Sequence, residues 1–106
     1  MVTAGRWVKA ARVCDVQAGQ VRAIDVAGRR LALCRVGEEF YAVDNVCTHD
    51  DGPLADGTLE DHQIECPRHG ARFDVRTGGV KCLPAVLPIQ SYPVKIEGPD
   101  VWVQMP

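Results

Sequence analysis

Apolar residues in this chain come in short alternating or continuous runs, and no stripe of helical period persists for ten residues. The runs "RWVKAARV" (6–13), "QVRAIDV" (20–26), "RLALCRV" (30–36) and "FYAV" (40–43) are broken by turn-forming "AGR" and "GEE". This spacing predicts a meander of antiparallel strands over the N-terminal part. At the other end "YPVKIEG" and "DVWVQM" flank Gly98, Pro99 and Asp100, which predicts a second hairpin. In "VKIE", Val94 and Ile96 are expected to face a core while Lys95 and Glu97 face water. Trp7 and Trp102 are assigned to the same β-core, and the two ends are expected to share one all-β sandwich or small barrel.

Between the ends, from about 44 to 84, Gly, Pro and Asp become frequent. This stretch is expected to be a lobe inserted between base sheets formed by about 5–43 and 86–105. It contains "CTHDDGPLADG", one predicted strand "TLEDHQIEC", the segment "CPRHGARFDVRTGG" and finally "VKCLPAVLP". A length of 106 residues fits a single domain, 1–106.

Composition narrows the partners. A net charge of −2, with few aromatics and none interleaved with Lys or Arg, gives no nucleic-acid surface. The N-terminus has no signal-peptide pattern, and the most apolar segment, "CLPAVLPI" (82–89), is short and holds two prolines, so no membrane association is expected. Five cysteines in such a chain suit free thiols or metal ligands better than a disulfide framework, which points to the reducing cytoplasm.

The chemistry concentrates in the middle, where Cys47-x-His49 is followed by Cys66-x-x-His69. Thiolate and imidazole together bind borderline or soft metals, and close spacing in turns brings two ligands to one site without distorting a strand. Gly52 and Gly70 follow the histidines and permit tight turns whose amides can converge on an anionic sulfur. Pro53, Pro67 and Pro84 stiffen the surrounding loops. By ligand type alone, a tetrahedral Cys2His2 zinc module remains open beside an iron–sulfur centre.

At these residues the sequence resembles the Rieske [2Fe–2S] family. Besides the two pairs, the resemblance takes in Gly52-Pro53-Leu54, Pro67 and Gly70 of "CPRHG", Phe73-Asp74, "TGG" at 77–79 and Pro84-Ala85 in a third loop. It implies one [2Fe–2S] cluster, with Cys47 and Cys66 on the inner iron and His49 and His69 on the outer, more exposed one. Two neutral imidazoles in place of two thiolates make the cluster less negative and easier to reduce, so Rieske centres span about −150 to +300 mV against about −400 mV for plant-type ferredoxins. Family members of respiratory complexes carry an extra disulfide and hydroxyl donors beside the cluster. Here those places hold Gly52, Arg68, Ala71 and Phe73, which implies the low end of the range and argues against a quinol-oxidising subunit.

The closest resemblance is to free-standing Rieske-type ferredoxins. It implies a monomeric one-electron carrier, not an enzyme in itself, between an NAD(P)H-dependent flavoprotein reductase and a ring-hydroxylating terminal oxygenase. An alternative with the same ligands is the small Rieske subunit of an assimilatory nitrite reductase. A mononuclear iron site of two histidines and a carboxylate is not available, because only His62 remains, and it is expected on a strand surface. Cys14, Cys34 and Cys82 are expected to be small buried or half-buried side chains. Asp50, Asp51 and Arg68 suit either partner docking or solvated turns.

Overall fold

In a computed structural model of the chain, residues 5–46, 52–67, 70–83 and 87–106 are described. They form eleven strands and two short 3-10 turns, with no α-helix among them, as the all-β expectation required. The strands are β1 (Arg6–Arg12), β2 (Val21–Val26), β3 (Arg29–Val36), β4 (Glu39–Asp44), β5 (Thr58–Glu60), β6 (Gln63–Glu65), β7 (Arg72–Asp74), β8 (Val80–Cys82), β9 (Ser91–Tyr92), β10 (Val94–Glu97) and β11 (Asp100–Met105).

Three antiparallel sheets result, ordered β1-β11-β10, β2-β3-β4-β9 and β5-β6-β7-β8. The meander holds for β2 to β4, but β1 leaves it and pairs with β11 from Arg6↔Met105 to Arg12↔Asp100. A 3-10 turn at Val13–Asp15 breaks the run after β1, and the Val13 amide bonds to the Pro99 carbonyl of the β10–β11 turn. That hairpin forms as expected, with Gly98 in the left-handed region at its tip.

Strand β3 explains its own unbroken apolar sequence. Leu31 and Leu33 pack into the core between the first two sheets, with Val26, Phe40, Val101 and Val103. Ala32 and Cys34, on the opposite face, pack with Leu54, Ile64, Phe73 and Val75 of the third sheet and its flanking turns. A strand buried on both faces loses the polar alternation of a surface strand.

Five expectations are corrected. Segment 58–66 is a hairpin instead of one strand: Glu60 pairs with Gln63, and Asp61 turns the chain at φ +51°. His62 therefore lies in a turn, its ring edge-on to Tyr41 at 5.6 Å and its carbonyl accepting the Val75 amide. Trp7 and Trp102 are outside the core, because β11 buries Val101, Val103 and Met105 and so turns Trp102 to the other face. There Lys95 lies over the Trp7 ring at 4.6 Å. Ile96, expected to face inward, is exposed near the hairpin tip, beyond the part of β10 that reaches the core. Of the leftover cysteines Cys34 is buried, but Cys14 and Cys82 are exposed.

Candidate metal centre

Of the four expected ligands, Cys66 is among the described residues; Cys47, His49 and His69 lie outside them, as do Asp50, Asp51, Arg68 and Pro84. Cys66 follows β6 directly and is fully buried. Its amide donates to the Ala71 carbonyl at 2.7 Å, and the Gly70 amide donates to the Cys66 carbonyl at 3.2 Å. The segment 66–71 is thereby closed as the end loop of the β6–β7 hairpin. Gly70, at φ +77°, supplies the left-handed residue that such closure needs.

Cys66 belongs to the same core cluster as Ala71 and Phe73, both fully buried. The Cys66 sulfur is thus kept from water in an apolar setting, and such a shell limits solvent access to a metal bound there. Neither Ala71 nor Phe73 has a hydroxyl to donate to that sulfur. The setting of Cys66, the one expected ligand among the described residues, fits a cluster sulfur ligand.

On the side of the first ligand pair, Gly52 is buried and Leu54 fully so, at the head of a 3-10 turn spanning Leu54–Asp56. Gly57 ends that turn, its amide donating to the Leu54 carbonyl at 2.9 Å. It then passes so close to Glu65 that a Cβ would fall inside van der Waals contact of the Glu65 carbonyl oxygen. The turn Leu54–Asp56 and the end of β6, just before Cys66, thus meet backbone to backbone at a glycine.

The third loop is fixed at its base. Ile89 is buried, and its amide donates to the Gly78 carbonyl at 2.9 Å. Asp74 organises the "TGG" turn: its carboxylate accepts from the Arg76 amide, Nε and Nη2 at 2.8, 3.1 and 2.9 Å, while its carbonyl accepts the Gly78 amide. The Arg76 hydrogen bonds hold the Asp74 carboxyl below its ordinary pKa despite burial, which acts the other way. Leu83 and Leu87 stand exposed on either side of this loop.

Motif spacing did not reveal Asn45, Gly57 or the Asp74–Arg76 pair. Each acts through a partner two to ten positions away, and no periodic signal marks such a pairing.

A family model described as "Rieske [2Fe-2S] domain" matches residues 6–93. The ferredoxin component of the naphthalene 1,2-dioxygenase system of Pseudomonas putida is 44% identical over 100 residues, spanning 94% of this chain and 96% of that protein. Among solved structures, the ferredoxin of carbazole 1,9a-dioxygenase from Nocardioides aromaticivorans IC177 superposes with a TM-score of 0.88 at 37% identity, over 92% of this chain and 95% of that one. A chain in a complex of reduced oxygenase and oxidised ferredoxin of carbazole 1,9a-dioxygenase gives 0.86 at 37% identity, over 92% of each chain.

Proposed function

The chain belongs to the Rieske [2Fe–2S] family and carries one Rieske-type [2Fe–2S] cluster, and from that premise we propose that it is the electron-carrying ferredoxin of a ring-hydroxylating dioxygenase system. The observation that carries the reading is the nearly end-to-end match to ferredoxin components: 94% of this chain on 96% of the naphthalene-system protein. When bound, the cluster takes up and releases one electron at a time. Cys47 and Cys66 would hold it as thiolates, and His49 and His69 through their imidazoles.

The protein's own part is to exclude water from sulfur and to fix the loops. Cys66 is fully buried in the same apolar cluster as Ile64, Ala71 and Phe73, and its loop is closed by the two backbone bonds to Ala71 and Gly70. Low polarity with few donors favours the less charged, oxidised state, so the potential belongs at the low end of the Rieske range. The domain plan, one Rieske domain with a cluster lobe of about 44–84, draws support from the separate sheet β5-β6-β7-β8. The electron donor in this reading is an NAD(P)H-dependent flavoprotein reductase and the acceptor a terminal oxygenase. In this reading the protein works as a monomer in the cytoplasm; the described residues contain no helix long and apolar enough to cross a membrane.

The test is reconstitution. Purified protein should contain two iron and two acid-labile sulfide atoms per chain, in the family's stoichiometry. Its dithionite-reduced form should give a Rieske-type EPR signal, and it should restore product formation to a reductase and oxygenase that are inactive without it. Cys66→Ser should remove the iron. Protein without iron and sulfide, or a reductase–oxygenase pair indifferent to its addition, would overturn the reading.

A further inference from the structure

The segment that carries Cys47 and His49 leaves the base at the end of β4 and rejoins described structure at Gly52. Just outside it stands Asn45, whose amide donates to the Arg30 carbonyl at 3.1 Å, one step beyond the Leu31↔Asp44 pair of the β3–β4 ladder. The backbone of Asn45 is therefore part of the base sheet. Its side chain belongs to the other end of the loop: Oδ1 accepts the Ala55 amide at 2.7 Å, within hydrogen-bond distance for a well-formed bond.

Ala55 is the second residue of the 3-10 turn Leu54–Asp56, where early amides have no partner inside the turn. A cap at that place normally comes from the side chain just before the turn. Here that residue is Pro53, which has no side-chain acceptor and makes no capping bond. Asn45 supplies the cap from ten positions upstream. The same turn is pinned to the core through the fully buried Leu54.

The neighbouring residue ties the third loop to the same junction. The Asp44 amide donates to the Gln90 carbonyl at 3.0 Å, and its carboxylate accepts from the Gln90 amide at 3.3 Å and the Tyr92 hydroxyl at 2.6 Å. Two consecutive side chains, Asp44 and Asn45, thus bond the start of β9 and the turn Leu54–Asp56 to the end of β4.

We propose that Asn45 is a positioning residue for the cluster: its bond to Ala55 ties the turn Leu54–Asp56 to the end of β4, and so fixes the two described ends of the stretch that carries Cys47 and His49. The inference rests on the reading of those two residues as ligands. A chain segment whose ends are fixed in advance loses less conformational entropy on taking up the cluster, which slows its release.

The experiment compares Asn45→Ala, Asn45→Leu and Asn45→Asp in the cluster-loaded protein. Two rates are measured: iron loss to an excess of a chelator, and hydrogen exchange in a peptide covering 52–57. Losing a capping acceptor is expected to accelerate both roughly fivefold to tenfold in the Ala and Leu variants. Exchange across β10 and β11 should be unchanged. Asn45→Asp keeps an oxygen in reach of the Ala55 amide and should stay within about twofold of the parent.

Unchanged rates in the Ala and Leu variants would overturn the proposal. So would faster exchange at 52–57 without faster iron loss, equal acceleration in the Asp variant, or failure of the Ala and Leu variants to fold, since each assigns Asn45 a different role. Cys47→Ser tests the underlying ligand reading separately: full iron and sulfide in that variant would overturn the reading, whatever the Asn45 variants do.

Discussion

Gly57→Ala adds one methyl group where the turn behind the first ligand pair meets the strand leading to Cys66. The backbone at Gly57 has φ −88° and ψ −165°, which any residue adopts, so the substitution meets no torsional obstacle. The obstacle is space: the new Cβ would lie inside contact distance of the Glu65 carbonyl oxygen, 3.0 Å from its carbonyl carbon and 3.1 Å from the Leu54 oxygen. All three are backbone atoms and cannot rotate aside. To restore normal contacts the two segments must part by on the order of 1 Å. That movement strains the Gly57–Leu54 bond of 2.9 Å and the Thr58↔Glu65 pair that follows. Overpacking typically costs about 1–3 kcal/mol, and the absence of any flexible atom puts this site near about 3 kcal/mol.

Urea unfolding followed by two signals locates the damage. Visible absorbance reports the cluster lobe, and tryptophan fluorescence reports the base sheets that hold Trp7 and Trp102. With a denaturant slope of about 1–3 kcal/mol per molar, the cluster signal should vanish about 1–3 M urea earlier than in the parent. The fluorescence midpoint should move less. Gly28→Ala is the control: Gly28 has φ +81° but open space around it, so only the left-handed penalty of about 1–2 kcal/mol applies, and in the base. A cluster midpoint unchanged by Gly57→Ala, or moved no more than by Gly28→Ala, would refute the steric reasoning.

Three further outcomes follow from named groups. Burial raises the Cys34 thiol from 9.0 to about 12, so the unfolded chain releases this proton first as pH rises; stability from this group is intact below pH 9 and falls away towards pH 12, by up to about 4 kcal/mol at 1.36 kcal/mol per unit, and a Cys34→Ala variant should show a shallower alkaline loss by fluorescence-monitored urea titration. Asp74 has the opposite sign: its carboxyl is held below the ordinary 3.8 by Arg76, so its contribution is present above that pH and lost as pH falls through the lower folded value. Asp74→Asn should cost about 1–2 kcal/mol at neutral pH, discounted because Arg76 is half exposed, and a stability difference that persists unchanged in strong acid would contradict the ion-pair account. Phe73→Tyr adds a hydroxyl to the buried cluster that contains Cys66 and should raise the reduction potential in protein-film voltammetry; an unchanged or lower potential would separate donor number from potential at this site.

One loop of the expected site was legible because its signal is chemical and local. Cys66, Pro67 and Gly70 fall within five consecutive positions, and Cys66 and Gly70, with Ala71, make the backbone bonds that close that loop. The two Cys/His pairs needed no knowledge of the fold to be noticed. The hairpin at Gly98 and the meander β2–β4 were legible for the same reason, since a turn and the strands it joins are neighbours in sequence.

Local pattern was enough for the β character of the chain, the glycine-bearing turns and the ligand set expected of its family, because period-2 alternation, glycine placement and Cys/His spacing are properties of short segments. What each segment packs against was set by the folded chain as a whole. The fold gave β1 to β11 instead of β2, turned Trp102 outward because its neighbours face the core, and buried β3 on both faces between two clusters. It also brought Asn45 to Ala55 and Gly57 to Glu65. Contacts of that kind depend on how the backbone folds back on itself, and a single sequence carries no periodic trace of which residues will meet.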